Sequence, residues 1–445
     1  AVVKDDNNNP VPVAEKSYVK LDVEDGTFKS ADGKSAIYLT KIARENVSIN
    51  SGAFSDLSAL DYLGDNASIK LTKDTTLASY VAIRAGKNVV LDLGGNKVSG
   101  ANFFDVYGSL EVKSGSLEGS GWGIWLNNNA NVKIDQDATL SSGSTFSIVL
   151  GGDCVNAKLD LDGKIIGSSG ITVNGNSTSE NNLITVGKDA VVDVSGTGLY
   201  LAGVGNTIVN GAKIKGGETA IEIRAGELTV NGGEFESTAT EYKCDPNGSG
   251  TTTEGAALAI AQHTTKKDIK VTVNDGTFKG IKALNESNPQ KNDPAPKVTL
   301  AVKNGTFDGE VSVTDVSKFI TGGTFSTSPK AYVAGENKVY KYNDSNYLVA
   351  ASAPSGYNWT EATTDEQKSE YDFIGTKIYT GSGTPAADNV TNNPADKNTT
   401  ADLTPAVSDN KSTTTVDNAT ADKIVDKAVE NNSTEVVIDA AGNNS

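Results

Sequence analysis

The sequence predicts an all-β protein built as a right-handed parallel β-helix, a solenoid with about 22 residues in each coil. The first observation is a six-residue phrase, aliphatic-x-x-Gly-x-Phe, that keeps returning along the chain. The second is an apolar-x-apolar pattern between the copies of this phrase, which is typical of a strand with one buried face. The third is another apolar pair that follows at a nearly constant distance. Such self-similarity indicates a repeat architecture, in which each unit buries its apolar face only against its neighbours. Clear copies of the phrase are Val23–Phe28, Ile49–Phe54, Val230–Phe235, Val273–Phe278, Val302–Phe307 and Ile320–Phe325.

The two strand patterns and the phrase give three short strands per coil, the cross-section of a parallel β-helix. In the phrase, Gly supplies a backbone conformation with positive φ at the corner, and Phe points inward to form an apolar ladder. About fourteen coils are expected between residues 18 and 350, once two loops are left out. The apolar-x-apolar pairs are Val81/Ile83, Phe104/Val106, Ile124/Leu126, Ile148/Leu150, Ile171/Val173, Leu199/Leu201 and Ile221/Ile223.

Breaks in the period suggest the domain organisation. Residues 1–17 are predicted to be a leader and N-terminal cap, and residues 18–350 the β-helix, with corner loops at 236–256 and 285–297. Residues 332–349 are expected to form a hairpin-like pair that closes the last coil, because an open sheet edge invites further pairing. Residues 355–380 are predicted to be a small appendage and residues 381–420 an extended linker. Residues 421–445, with one short helix and one strand, are interpreted as the truncated start of a further domain.

Composition narrows the possible partners. The net charge is −17, so nucleic acid and anionic lipid surfaces are expected to be repelled. No apolar run approaches the roughly 20 residues of a membrane span, so no membrane insertion is expected. Because the chain contains no Met, even at position 1, it is interpreted as a mature or excised segment. Cys154 and Cys244 lie about four coils apart, and they could pair only if the loop holding Cys244 folded back.

The end of the repeat resembles a known family. Gly322-Gly-Thr-Phe-Ser-Thr-Ser-Pro329 with Ala331-Tyr-Val-Ala334 looks like the closing coil of pectate-lyase-like β-helix regions in large surface proteins of Gram-positive gut bacteria. Leu91-Asp-Leu-Gly-Gly-Asn-Lys-Val-Ser-Gly100 is similar to a strand-turn phrase of the same proteins. The tail at 421–439 resembles segments that precede wall-attachment modules. The resemblance covers about residues 18–350, and it implies extracellular display at the cell surface, usually without a demonstrated activity.

Enzyme chemistry finds little support in the residues. The single His263 has no Gly-His-Gly context, and none of the three arginines is followed two positions later by Lys. Arg84 and Arg224 share one context, an inward Ile before and Ala-Gly after, and are predicted to be solvated corner charges. Two-carboxylate hydrolysis needs only acids, so a polysaccharide lyase or glycoside hydrolase stays an alternative, although no catalytic residue is assigned.

Metal sites find no more support. One His and two distant Cys argue against zinc, and no metal ligand or cofactor is assigned. Asp and Asn at the corners are expected to serve the turns through hydrogen bonds to the backbone, with an occasional Ca²⁺ as the open alternative. These corner residues are Asp25, Asn50, Asn274, Asp275 and Asn304.

The outward residues of the apolar-x-apolar strands are the candidate binding face. Alternation directs Trp125 outward between Ile124 and Leu126, where it could stack on a sugar ring beside Asp105, whereas Trp122 at the corner is predicted to be core. Equally, a loop or the segment after residue 355 could cover Trp125. Residues predicted to follow one another up this face are Tyr38, Ala82, Asp105, Trp125, Val149, Thr172, Tyr200 and Glu222, of which Trp125, Asp105, Tyr200 and Tyr38 are the candidate binding residues.

The sequence therefore predicts a cell-surface adhesin or display stalk whose rigid β-helix binds glycan or protein partners. Two alternatives stay open: an enzyme acting on polysaccharides, and a purely structural surface-layer or spacer protein. A groove with three or more carboxylates or basic groups on one stacked face would favour the enzyme, and an exposed Trp125 on a flat face would favour binding. The oligomeric state is left open.

Overall fold

A computed structural model describes residues 20–31, 34–39, 42–175, 178–246, 253–342, 346–377, 390–402, 406–408, 411–413 and 418–439. Its main body is a parallel β-solenoid of about 12 turns, in which equivalent positions lie roughly 23 residues apart. This confirms the predicted solenoid of stacked parallel strands. The predicted leader at residues 1–17 lies outside the described residues.

Three strands recur in each regular turn, and we call the sheets that they build face 1, face 2 and face 3. Some long strands bend around a corner and serve two faces. Face 1 comprises Val81–Ile83, Phe104–Val106, Ile124–Leu126, Leu199–Leu201, Ile221–Ile223 and Ala256–Ala261, with the second halves of Ala138–Leu150, Lys164–Val173, Thr277–Ser287 and Thr306–Ser312. Face 2 comprises Leu21–Val23, Leu63–Leu71, Asn88–Asp92, Ser109–Lys113, Asn131–Ile134, Lys158–Leu161, Asn182–Val186, Ile269–Val273 and Val298–Val302, with the first halves of Val47–Phe54, Gly205–Gly216 and Gly226–Ser237. Face 3 comprises Thr27–Phe28, Thr75–Leu77, Lys97–Gly100, Gly115–Gly119, Val191–Val194 and Gly323–Phe325, with the remaining halves of the long strands.

The register of face 1 follows the predicted alignment. Ile83 pairs with Val106, and Ile124 pairs with both Phe104 and Ile148 in neighbouring turns. All five of these side chains are fully buried. Like residues therefore stack turn upon turn, and the alternating pattern fixes which side chains enter the core.

The Gly-x-Phe phrase forms the predicted ladder at the corner before face 3. Phe235, Phe278, Phe307 and Phe325 stack with ring centroids 4.8, 4.9 and 4.8 Å apart, and all four are buried. The glycine is needed because the corner has positive φ, +127° at Gly305, where a Cβ would come within 2.8 Å of a carbonyl oxygen in the previous turn.

Both predicted corner loops leave the stack intact. After Gly226–Ser237 the chain leaves the solenoid, forms a short antiparallel pair between Lys243–Cys244 and Thr253–Glu254, and re-enters at Ala256–Ala261. The second insertion follows Thr277–Ser287 and ends at Val298–Val302. Gly226–Ser237 pairs directly with Ile269–Val273 across the first loop, so the turns on each side of it are adjacent.

An antiparallel pair closes the last turn, as predicted. Strands Lys338–Lys341 and Tyr347–Ala350 pair antiparallel, and Tyr347–Ala350 also pairs antiparallel with Gly323–Phe325. We call the segment 330–350 together with 361–374 the C-terminal cap. It includes a 3₁₀ turn at Lys330–Tyr332, helix Asp365–Glu370 with a capping box at Thr364, and the start of strand Phe373–Lys377.

The terminal turns explain why about 12 turns form where fourteen were expected. Near the N-terminus, residues Arg44–Asn46 and Leu57–Tyr62 form 3₁₀ turns instead of strands. Near the other end, residues after Ser312 enter the cap. Residues that do not form the three-strand repeat add no turn to the solenoid.

The chain divides into two compact units, the first comprising residues 1–353 and 361–374 and the second residues 354–360 and 375–445. Strand Tyr357–Glu361 ends at their boundary in sequence. In the second unit, Val390–Asn393 and Asn398–Asp402 form a hairpin, and Glu435–Asp439 pairs with Asn398–Asp402 in parallel. Residues 390–402 were expected to be part of an extended linker, and this expectation is wrong for them. Further elements are strands Ala406–Ser408 and Lys411–Thr413 and helix Asn418–Glu430.

Candidate functional site

The candidate residues of face 1 form one column in register. Ala82 pairs with Asp105, Asp105 with Trp125, Trp125 with Val149, and the column continues through Thr172, Tyr200 and Glu222. The predicted order up the face is therefore confirmed from Ala82 onward. Tyr38 does not join this column, because it lies in a segment without regular secondary structure, although it is 79% exposed.

The N-terminal part of face 1 carries a group of partly exposed aromatic rings, which we call the aromatic ledge: Tyr80, Tyr107, Trp122 and Trp125. The ring centroids of Tyr80 and Trp122 are 5.8 Å apart, and those of Trp122 and Trp125 are also 5.8 Å apart. Tyr80 is 52% exposed and Tyr107 43%, and both tryptophans are half-buried. The prediction that Trp122 is a core residue is therefore wrong.

Polar groups accompany the ledge. Asp105 Oδ1 accepts a hydrogen bond of 2.5 Å from Asn127 Nδ2, and the carboxylate of Asp105 raises the pKa of Tyr107. Buried Gly151 lies beside the indole of Trp125, where a Cβ would stand only 3.3 Å from Nε1. The structure thus brings Trp125 and Asp105 together as predicted, with ring faces next to fixed hydrogen-bonding groups.

A groove of about 840 Å³ adjoins the ledge, and we call it the arginine groove. Tyr80, Ala82 and Arg84 line it from face 1, and Arg44 lines it from the neighbouring 3₁₀ turn. Arg44 pairs with Asp61 at 3.1 Å. Arg84 is exposed, as predicted, and has no ion pair among the described residues.

Further along face 1 the column is covered instead of open. Thr172 and Tyr200 are 4% and 6% exposed, and Glu222 is fully buried. The ring of Phe146 lies 6.1 Å from that of Tyr200. Tyr242, from the first corner loop, donates a hydrogen bond of 3.1 Å to Asn285 Oδ1 on the same face. Tyr200 therefore cannot serve as an exposed binding residue, and that prediction is wrong.

Arg224 is also buried, contrary to the prediction of a solvated corner charge. Its Nη1 donates a hydrogen bond of 2.7 Å to the Tyr200 hydroxyl, and its Nε lies 3.9 Å from Glu222 Oε1. Burial, with a smaller contribution from Arg224, lowers the pKa of His263 to about 4, so this imidazole is neutral at pH 7. No local pattern distinguishes Arg224 from Arg84, since both follow an inward Ile. The difference is that Arg224 contacts Tyr200, Glu222 and the backbone oxygen of Gln262.

The two cysteines are free thiols. Cys154 is buried, and burial raises its pKa to about 11. Cys244 is half-buried, and its Sγ lies 3.4 Å from Ser287 Oγ. The fold-back pairing of Cys244 with Cys154 does not occur.

No group of three or more His, Cys, Asp or Glu is placed to hold a metal ion in the part of the chain that the structure describes. Within the same residues, none of the helices has the length and apolar character needed to cross a membrane.

Comparison with models of known protein families, with curated proteins and with solved structures found no match for this chain. The class of protein is therefore defined by its own fold. The chain is a parallel β-solenoid protein, an architecture compatible with a surface or structural role.

Proposed function

We propose that this solenoid is a glycan-binding protein whose site is the aromatic ledge with Asp105 and Asn127. The observation that carries the proposal is the run of three neighbouring rings, Tyr80, Trp122 and Trp125, with successive centroids 5.8 Å apart on a partly exposed region of face 1. Aromatic side chains grouped at a surface mark interaction sites, because each ring offers an apolar area that water solvates poorly.

The chemistry of the ledge fits a sugar better than a wholly apolar ligand. A pyranose ring has an apolar C–H face that can stack on an indole, and hydroxyl groups around its rim. Asp105 and Asn127 supply acceptor oxygens beside Trp125, and their mutual hydrogen bond of 2.5 Å holds both in place. A site that combines stacking with preorganised hydrogen bonds orients its ligand at little cost in conformational entropy.

The first test is a glycan array followed by fluorescence titration. Trp122, Trp125 and Trp359 are the three tryptophans of the chain, so a Trp359→Phe background leaves tryptophan fluorescence only at the ledge. We expect a bound glycan to change this fluorescence, and Trp125→Ala to weaken binding at least about tenfold, or about 1.4 kcal/mol.

Ile281→Ala is the matched control, because Ile281 is an exposed apolar residue, 39% accessible, on a distant turn. Its binding should equal that of the parent. If no glycan binds, or if Trp125→Ala binds like the parent, the proposal is wrong, and a purely structural stalk or a protein partner becomes the better explanation.

A polysaccharide-active enzyme is the second candidate, and the arginine groove is the observation that favours it. The groove is lined by three basic residues, Lys34, Arg44 and Arg84. It is also lined by two carboxylates, those of Asp56 and Asp61. However, only Arg84 follows a strand of the stacked face. Asp56 accepts hydrogen bonds from the backbone N–H groups of Ala36 and Ser58, and Asp61 pairs with Arg44, so both carboxylates already serve the local structure. Binding is therefore the better proposal, and release of reducing ends or unsaturated sugars from a bound glycan would favour the enzyme.

The proposal places the protein outside the cell, as an adhesin or display stalk of a bacterial surface. It is supported by the resemblance of residues 322–334 to closing coils of surface proteins and by a regular solenoid that can hold a ledge at a fixed place. Labelling of intact producing cells with an antibody against the solenoid tests it: staining only after permeabilisation would contradict surface display.

A further inference from the structure

Three consecutive turns bring oxygen-bearing side chains together at one corner of the solenoid. Gln262 follows strand Ala256–Ala261, Glu286 lies near the end of Thr277–Ser287, and Asp315 follows Thr306–Ser312. The register confirms that they share a corner, because Ile260 pairs with Glu286 and Asn285 pairs with Ser312. This corner is separate from the aromatic ledge.

Hydrogen bonds tie these three residues to one another. Glu286 Oε2 accepts from the backbone N–H groups of Thr314 and Asp315 at 2.9 and 2.8 Å. Gln262 Nε2 donates to Asp315 Oδ2 at 2.8 Å, across two turns of the solenoid. The three residues therefore form one cluster, in which backbone N–H groups hold the side chain of Glu286 and the Asp315 side chain holds that of Gln262.

Each of the two buried members keeps one oxygen without a donor. Gln262 is fully buried and Glu286 is 1% exposed. Gln262 Oε1 and Glu286 Oε1 are buried atoms that make no hydrogen bond with the described residues. Native structures rarely leave buried acceptors unsatisfied, because the lost hydration is not regained. When Glu286 is ionised, both atoms can only accept, so the partner that they lack among the described residues is a cation or a hydrogen-bond donor.

We propose that Glu286 Oε1, Gln262 Oε1 and the carboxylate of Asp315 bind a divalent cation of the Ca²⁺ class. Ca²⁺ takes six to eight oxygen ligands, accepts carboxylates and amide oxygens together, and tolerates irregular geometry that waters complete. Two carboxylates balance its charge. Asp315 is exposed, so the ion reaches the cluster from solvent.

The surrounding charges are consistent with this assignment. Arg224 approaches the same segment, with Nη2 3.4 Å from the backbone oxygen of Gln262, but Glu222 lies 3.9 Å from its Nε and offsets its charge.

The test is calorimetric titration of the full chain with CaCl₂ at pH 7, together with thermal unfolding in CaCl₂ and in EDTA. We expect measurable binding and a higher unfolding temperature in calcium. Asp315→Asn should weaken calcium affinity at least about tenfold, and Glu286→Gln should abolish the calcium effect on unfolding. Asp308→Asn is the matched control, an exposed carboxylate on strand Thr306–Ser312, and should behave like the parent.

Three outcomes would overturn the proposal. Absence of binding heat with equal unfolding temperatures in calcium and EDTA would show that a water molecule or a proton on Glu286 satisfies the cluster. Calcium binding that survives both Glu286→Gln and Asp315→Asn would place the ion elsewhere. An equal loss in Asp308→Asn would show diffuse attraction to acidic side chains. Because the amide of Glu286→Gln can donate to Gln262 Oε1, this variant should fold, and the exposed Asp315→Asn provides a second check.

Discussion

Arg224 is the largest fully buried side chain of the described residues, and its charge has to be balanced inside the protein. Glu222, two residues earlier on the same strand end, and the Tyr200 hydroxyl provide that balance. We expect Arg224→Met to destabilise the solenoid by about 3–5 kcal/mol, because it removes the cation from a fully buried ion pair with Glu222. Urea unfolding followed by circular dichroism measures the loss.

A matched variant and a double variant make this prediction specific. Arg84→Met alters an exposed arginine in the same sequence context and should change stability by no more than about 0.5 kcal/mol. Replacing Arg224 and Glu222 together by Met should recover most of the loss, since an apolar pair needs no charge balance. Additive effects of the two replacements would argue against a coupled pair.

The alternation of side chains along a strand predicts which side chains point out of the core. It does not predict whether an outward side chain is exposed to solvent. It placed Trp125 and Asp105 on one outward column from the sequence alone. The same rule placed Tyr200 and Glu222 on that column, where they are buried. Their printed neighbours are Phe146, whose ring lies 6.1 Å from that of Tyr200, and Arg224, which contacts both Tyr200 and Glu222. Phe146 and Arg224 do not recur at the same position from turn to turn, so their contacts carry no periodic signal and the sequence could not reveal which part of the face is open.

At the scale of an element, the phenylalanine ladder links the Gly-x-Phe phrase to stability. Phe278 stacks between Phe235 and Phe307 and is fully buried, whereas Phe28 is half-buried and stacks on one ring of the described residues, that of Phe54. We expect Phe278→Ala to cost about 3–5 kcal/mol, because neighbouring rings held by the strands cannot collapse into the cavity.

Phe28→Ala is the internal control for the ladder and should cost clearly less, since it removes a partly exposed ring with one stacking partner. Chemical unfolding of both variants gives the comparison. Equal losses would mean that ring stacking contributes the same at the end of the solenoid as in its interior, against the nearest-neighbour logic of repeat proteins.

The C-terminal cap should make the solenoid sensitive to acid. A hydrogen bond from Lys341, at 2.6 Å, and one from the Tyr347 hydroxyl lower the pKa of Glu370. A carboxyl group whose pKa is lowered by folding stabilises the protein above its unfolded pKa, about 4.3, and this contribution is lost as pH falls through the folded value. We expect the difference in unfolding temperature between the parent and Glu370→Gln to be constant from pH 7 to about 5 and to shrink below about pH 4. A difference that does not change with pH would contradict this account.

The elements that close the solenoid were easier to predict than the number of turns. The change in residue pattern around residues 332–349 predicted an antiparallel closing pair. It is formed by Lys338–Lys341 and Tyr347–Ala350. The count of turns was too high because short 3₁₀ turns such as Leu57–Tyr62 occupy lengths of chain that a period of 22 assigns to strands. The period gives the number of turns only if every residue belongs to the three-strand repeat. Residues in 3₁₀ turns lengthen the chain without adding a hydrogen-bonded turn of the solenoid.

At the scale of the whole molecule, the two compact units have separate hydrophobic cores. The core of the solenoid includes buried residues from Val47 to Tyr371, and the second core is formed by Val390, Ala401 and Ile424. A unit with its own core can fold without the other.

This separation predicts that a chain ending at Lys377 keeps the folded solenoid. We expect its unfolding temperature to stay within about 3 °C of the full chain, a shift below about 1 kcal/mol, because every residue of the solenoid core is retained. A second truncation, ending at Tyr332, is the control: it removes strand Tyr347–Ala350, which pairs with Gly323–Phe325, and should lower the unfolding temperature strongly. If the chain ending at Lys377 lost its β-type circular dichroism spectrum, the two units would not be independent, whereas retained glycan binding by it would place the binding activity in the solenoid.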